Sequence, residues 1–200
     1  HITQKTAWNM LHKIRQYMDC ENNHKLSGEV EIDETFVGGK NKNRHKEKKV
    51  EKCQGRSFKD KVPVFGILER DGKVIAKVVP NTQAKTLVPI VREYVETNSV
   101  VNTDGWEYTG LIGDYEQRSV DHESHFYGIT YATDGGELIT ISTNGIENVW
   151  SHFKRMILGT YYCVSKKHLQ LYVDEYIFRF NTRYHSDFQR FDLLLQKIAA

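Results

Sequence analysis

The stretch VPVFGILERDGKVIAKVV, residues 62–79, constrains the chain more than any other. Two β-branched, apolar runs, Val62–Glu69 and Val74–Val79, flank Asp71-Gly72, residues that accept the backbone of a tight turn. This predicts a β-hairpin, and a lone hairpin is not stable in water without more strands or a helix on its apolar face. The flanking sequence supplies both. Upstream, GEVEIDETFVGG (28–39) alternates. Val30, Ile32 and Glu34 face one way, Glu31, Asp33 and Thr35 the other, and Gly38-Gly39 ends the strand. Downstream, Thr86–Glu96 carries Leu87, Ile90, Val91 and Tyr94 on one helical face, with Thr82 or Thr86 as its cap. Ser99–Asp104 then reads as a short buried strand closing in the polar turn TDGW. A hairpin beside a strand, followed by a helical crossover to another strand, predicts an α/β fold with a mixed sheet.

The remaining segments are mostly helical. Residues 3–18 have Ala7, Met10, Leu11, Ile14 and Met18 at helical spacing and Thr3 as N-cap. A polar linker follows at 19–25. Tyr108–Asp121 reads as a less regular strand–turn–helix unit, and 123–142, rich in glycine and aromatics, as irregular. Asn144–Leu158 places Ile146, Val149, Trp150, Phe153 and Ile157 on one face. Residues 166–183 turn Leu169, Tyr172, Val173, Tyr176, Ile177 and Phe180 inward, and Phe191–Ile198 forms a last short helix.

Composition narrows the class. With 39% hydrophobic and 27% charged residues the chain is globular and not disordered. It has no apolar run long enough to span a bilayer, and no signal peptide is visible in its first twenty residues. Three cysteines, Cys20, Cys53 and Cys163, form no CxxC pair, which argues against a disulfide framework or zinc ribbon and favours a reducing cytoplasm. The net charge of +2 does not mark a nucleic-acid binder, but Lys40–Lys61 is densely basic. A charge run alone more often marks a solvated loop; here Lys40, Lys42, Arg44, Lys48 and Lys49 are candidate phosphate contacts.

Two carboxylates stand out because they lie on short, otherwise apolar strands: Asp33 and Asp104. Burying an ionised carboxylate is costly unless something compensates it. Hard divalent cations do so, taking carboxylates together with water and phosphate oxygens. Glu147 is the third candidate. It shares a helical face with Trp150, Ser151 and Lys154, an acid and a base suited to a metal and a phosphate backbone. Taken singly, an Asp at a strand end is more often a turn former and a helical Glu a solvated residue; the combination carries the weight.

Four motifs in order, EIDETFVGGK, TDGW with Tyr108 close behind, TNGIENVWSHFKR and GTYYCVSKKHLQLYVDEYIFRFNTR, resemble the ISXO-like DDE domain of bacterial insertion-sequence transposases over roughly residues 29–185. The resemblance implies a ribonuclease H-like fold, a mixed five-stranded sheet flanked by helices. It implies Asp33, Asp104 and Glu147 as first, second and third acids holding two divalent ions, Mg²⁺ or Mn²⁺, and Lys154 as the basic residue that follows the Glu. DNA is then the partner, both the terminal inverted repeats and the target, with Lys154, Arg155 and Trp106 added to the contacts. A homo-oligomer in the transposition complex, no membrane, and a bacterial, nucleoid-associated location follow as expectations. Residues 1–19 resemble the end of a helix-turn-helix, 20–28 a linker and 29–200 the catalytic domain. Ser142 departs from the family, which often has His there. His168, in the last motif, reads as a structural histidine. Trp150 reads as core, although either Trp150 or Trp106 could stack on a base.

Three rivals differ from this reading. A nuclease of the same fold would cut without strand transfer. A non-catalytic, transposase-derived DNA-binding protein would tolerate loss of the acids, which are intact. A Ser or Cys hydrolase lacks a GxSxG elbow here.

Overall fold

The computed structural model describes residues 1–19, 25–38, 45–49, 60–104, 109–120, 128–132, 135–136 and 138–199. Five strands, β1 (Glu29–Val37), β2 (Val62–Glu69), β3 (Val74–Val78), β4 (Val100–Asp104) and β5 (Glu116–Val120), form one sheet in the order β3-β2-β1-β4-β5. The predicted hairpin is β2–β3, and β2 also pairs antiparallel with β1. The crossover helix α2 (Ala84–Tyr94) brings the chain back as β4, parallel to β1, with β5 parallel to β4. With α1 (Gln4–Gln16), α3 (Asn144–Met156), α4 (Leu169–Asn181) and α5 (Asp187–Ala199), this is an α/β architecture consistent with the ribonuclease H-like fold.

Period-two alternation splits the apolar side chains between two cores. Val30, Ile32, Phe65, Ile67 and Ile75 pack on one face with Leu87, Val88 and Val91 of α2. Val64, Leu68, Val74 and Ala76 pack on the other with Ile146, Val149, Trp150 and Phe153 of α3 and Leu169, Tyr172, Val173 and Ile177 of α4. Each such side chain contributes about 1.5–3 kcal/mol when fully buried. The exposed edge of β3 is covered by α4. Gln170 accepts from the Val78 amide at 2.7 Å and Asn181 accepts from the Val74 amide at 2.8 Å. Two side-chain amides thereby stand in for a sixth strand and close an edge that could otherwise pair with another chain.

Several expectations need correction. The apolar stripe read along residues 3–18 is not the buried face of α1: Met10 and Leu11 are each 50% exposed, while His12 and Arg15 are buried. The helix docks through charge. Arg15 Nε donates to Glu175 of α4 at 2.7 Å and its guanidinium lies over the Tyr172 ring. The segment 123–142 is not wholly irregular, because β6 (Ile129–Ala132) and β7 (Leu138–Ile141) form an antiparallel hairpin. Among the described residues of 108–121, a 3₁₀ turn (Thr109–Leu111) precedes β5, in place of strand, turn and helix. The start of α2 is tied by Asn81, which accepts from the Gln83 amide and the Thr86 hydroxyl, and not by Thr82 or Thr86 as cap. The last helix starts at Asp187, four residues early, behind a reciprocal capping box of Ser186 and Gln189. Leu26, within the stretch read as linker, is buried and exchanges backbone hydrogen bonds with Tyr94 and Glu96.

Candidate active site

The register of β1 and β4 runs from Glu29↔Val100 to Ile32↔Thr103. Asp33 and Asp104 are the next residues of each strand, so alternation sends both carboxylates out of the same face at the same level. That face is the one covered by α3. Asp33 lies opposite Gly66 of β2, and the missing side chain at Gly66 is filled by Trp150: a Cβ there would stand 2.3 Å from the indole Cζ2. Glycine is required because α3 comes down onto the sheet beside Asp33.

A cleft of about 590 Å³ opens where β1 meets α3, lined by Asp33, Glu34, Thr35, Phe36, Lys61, Glu147, Trp150, Ser151 and Lys154. Glu147 stands in the first turn of α3, where an acid is favoured by the helix dipole. Its carboxylate accepts from the hydroxyl of Thr143, the residue that precedes the helix, at 3.4 Å. The structure therefore brings Asp33, Glu147 and Lys154 into one cleft. Asp104 does not line it, but its charge is felt at Asp33. Among the described residues, no three His, Cys, Asp or Glu side chains stand where they could together hold a metal ion. Asp33 and Glu147 share the open cleft, and Asp104 reaches Asp33 through its charge.

The field at Asp33 is strong. The Asp33 carboxyl is pushed from its ordinary 3.8 up to about 7, first by burial, then by the negative charges of Glu34, Glu147 and Asp104, against a backbone hydrogen bond at Glu34 that lowers it. Lys154 is pulled below the ordinary lysine range by burial; Asp33 raises it and Lys61 lowers it further. Hard oxygen donors carrying excess negative potential, with two ammonium groups at the rim, have the chemistry of a site for divalent cations and phosphate.

The other candidates separate. Arg155 does not line the cleft; its Nε donates to the Ser151 carbonyl and its charge is felt at Tyr176 of α4. Lys49 is exposed, at the end of a 3₁₀ turn, Lys46–Lys48. Lys40, Lys42, Arg44, Trp106 and the Lys48 side chain lie outside the described residues. Trp150 is core, 4% exposed, and forms the cleft wall. His168 stacks edge-on against Trp8 and His12, away from the cleft, and Arg179 pairs with Glu175.

Two further residues bear on the site. Lys61, the last member of the basic run, reaches the cleft rim, a place that depends on how β2 is entered. Glu31 shares the strand face of Asp33, and no local sequence signal gives it a role. It is 3% exposed, accepts from the Ile146 amide of α3 at 2.9 Å and meets Arg70 at 3.3 Å. A second cleft of about 500 Å³ lies between α3 and α4 and includes Arg70, Arg179 and Arg183. These arginines are engaged within the protein: Arg70 with Glu29 and Glu31, Arg179 with Glu175, and Arg183 with the carbonyls of Phe180 and Gly72.

Comparison with known proteins places the chain in a family. The family described as "ISXO2-like transposase domain" matches residues 25–181. A protein of Haemophilus influenzae described as an uncharacterized transposase-like protein is 39% identical over 109 residues, which cover 54% of this chain and 81% of the relative. No solved structure gives a significant match. No helix among the described residues is long and apolar enough to cross a membrane.

Proposed function

The chain belongs to the ISXO2-like transposase domain family, and on that premise we propose that it is a DNA phosphoryl transferase that cuts a strand and joins the cut end to a target. The observation that carries the reading is that Asp33 of β1 and Glu147 and Lys154 of α3 meet in one cleft, with the Asp33 carboxyl raised to about 7 by burial and by the negative charges of Glu34, Glu147 and Asp104. Asp33, Asp104 and Glu147 would hold Mg²⁺ or Mn²⁺, two ions in the working site. When bound, such ions supply charge stabilisation and an oxygen nucleophile at neutral pH.

The chain's own residues do the positioning. Lys154 and Lys61, on the cleft rim, hold the non-reacting phosphate oxygens of the scissile strand. Thr143 keeps the Glu147 carboxylate turned toward the cleft by its hydrogen bond. Trp150, packed onto Gly66, forms a rigid wall, so the acids on β1 and on α3 keep their separation. The bond bookkeeping is an exchange. A water oxygen attacks phosphorus and a 3′-hydroxyl leaves; in the second step that hydroxyl attacks a target phosphorus and another 3′-hydroxyl leaves. With bond making and bond breaking matched, placement and charge stabilisation supply the acceleration. The basic stretch from Lys40 to Lys49, together with Trp106 and Arg155, would extend DNA contact beyond the cleft, weakly dependent on sequence and strongly on salt. Joining two element ends calls for more than one catalytic centre, hence a homo-oligomer.

The test is cleavage of duplex DNA ending in the inverted repeats that bound the gene, with Mg²⁺ or Mn²⁺, by the intact chain and by Asp33→Asn. Loss of cleavage in the variant is expected, and full activity in it refutes the assignment. Joining of the cut end to a supercoiled plasmid separates a transposase from a nuclease of the same fold.

A further inference from the structure

Helix α3 carries both Glu147 and Lys154, so the active-site geometry depends on how α3 is fixed to β1. Its own sequence fixes it poorly. The first helical amides have no partner inside a helix and need an acceptor, yet Thr143, at the N-cap position, gives no side-chain cap. The acceptor arrives from β1. Glu31 reaches across from the sheet, and its carboxylate takes the Ile146 amide at 2.9 Å. The other oxygen meets Arg70 at 3.3 Å. Arg70 in turn pairs with Glu29 at 2.6 Å and donates to the Thr140 carbonyl at the end of β7. Gly145 makes room for this: a Cβ there would stand 2.7 Å from the Glu31 carboxylate oxygen. One buried carboxylate thus ties the start of α3 to the strand that bears Asp33, two residues away.

We propose that Glu31 is a positioning residue for phosphoryl transfer: its carboxylate, capping α3 from β1, sets the place of Glu147 relative to Asp33. The inference rests on the reading of the cleft as a DNA phosphoryl-transfer site. Glu31 itself does not line that cleft among the described residues. It acts on the helix and not on substrate, so its loss should appear in turnover and not in DNA affinity.

Three variants test it. Glu31→Gln keeps an oxygen acceptor for the Ile146 amide. Glu31→Ala removes it. Gly145→Ala leaves the carboxylate intact but crowds it, and the Leu68 side chain with it, each 2.7 Å from the added Cβ. Cleavage of inverted-repeat duplex with Mg²⁺ gives kcat and KM at a temperature well below each melting point, and amide hydrogen exchange reports the first turn of α3. A misplacement of about 1 Å costs on the order of 100-fold in rate. Glu31→Ala and Gly145→Ala are therefore expected to lose about 10- to 100-fold in kcat with KM within about twofold, and to exchange faster at Ile146. Glu31→Gln is expected to keep protection at Ile146 and most of the turnover. If Glu31→Ala does not fold, Gln and Gly145→Ala decide the matter. Full turnover in Gly145→Ala or Glu31→Ala overturns the proposal, as does a loss confined to KM, or a collapse of turnover in Glu31→Gln while Ile146 remains protected. A wild-type chain that cleaves nothing overturns the underlying reading, whereas a wild-type chain that cleaves beside an equally active Glu31→Ala overturns this inference alone.

Discussion

Replacing Asp33 by Asn should make the protein more stable while abolishing its activity. The carboxyl titrates at about 7 in the fold against an ordinary 3.8, so the folded state binds the proton more tightly than the unfolded chain. A raised carboxyl means stability is greatest below the unfolded value and is lost as pH rises through the folded one. The loss accumulates between about pH 4 and pH 7 and is complete above that. At about 1.4 kcal/mol per pH unit, the interval from 3.8 to about 7 corresponds to about 4 kcal/mol. Local relaxation and water penetration lower the realised value, so about 2–4 kcal/mol is the working range. Asparagine has the same shape, can keep the backbone hydrogen bond at Glu34, and carries no charge. For a domain of this length each kcal/mol moves the melting temperature by about 2–4 °C, which predicts a rise of about 5–10 °C for Asp33→Asn at pH 8 in EDTA. The gap should shrink toward pH 4 and close below it, where the wild-type carboxyl is protonated in both states. Added Mg²⁺ should raise the wild type and leave the variant nearly unmoved, because a ligand stabilises only the state that binds it. Differential scanning calorimetry across this pH range decides the matter. Equal melting at pH 8, or a gap that persists undiminished at pH 4, refutes the electrostatic account of the cleft.

Three further outcomes follow from the packing and the charges. Arg15 and Glu175 form a buried pair at 2.7 Å; although burial alone would raise the Glu175 carboxyl, hydrogen bonds from Arg15 and Tyr161 hold it below the usual glutamate range. Arg15→Ala should cost about 3–5 kcal/mol in urea unfolding, while a double replacement of both partners by Met should cost less than either single truncation. Lys154→Gln should weaken DNA binding and reduce the slope of log K against log salt by about 0.9, measured by fluorescence anisotropy. Gly66→Ala should drive the Trp150 ring off the sheet, costing about 1–3 kcal/mol, and lower cleavage by more than its stability change explains.

What the sequence disclosed and what it hid divide along physical lines. The β2–β3 hairpin and the alternation of β1 were legible because period two is a local signal, and the faces of α2, α3 and α4 were legible for the same reason at helical period. The shared face of Asp33 and Asp104 followed once β1 and β4 were parallel neighbours. The hairpin of β6 and β7 was not legible: all four residues of β6 are exposed, so no buried face imposes a period. The docking of α1 was misread because its contact is an arginine and a histidine, and a hydrophobic stripe is blind to an ion pair formed 160 residues away. Glu31 was hidden for a similar reason. Its face was correctly assigned, but its partner, the Ile146 amide, is a backbone group 115 residues later, and backbone groups carry no sequence signature.

The placement of Asp33 explains why one strand can be both structural centre and chemical edge. β1 extends from Glu29 to Val37, but its pairing with β4 stops at Ile32↔Thr103. Among the described residues, β1 pairs from Asp33 onward with β2 alone, so the acid stands where the β4 ladder ends. A carboxylate two residues earlier is sealed between the sheet and α3, as Glu31 is, and needs a permanent partner. A carboxylate at a free loop would be solvated and too weakly held to orient a phosphate. Asp33 lies between these extremes, fixed by the sheet, largely buried and crowded by other carboxylates. The stability it forfeits, about 2–4 kcal/mol, is a sizeable share of the 5–15 kcal/mol typical of a domain, and the two apolar cores on either side of β1 are what allow it to be tolerated. Substitutions that weaken those cores, such as Ile32→Ala or Val64→Ala, should therefore be less harmful in an Asp33→Asn background than their individual costs, about 2–5 kcal/mol for the Ile, would otherwise permit.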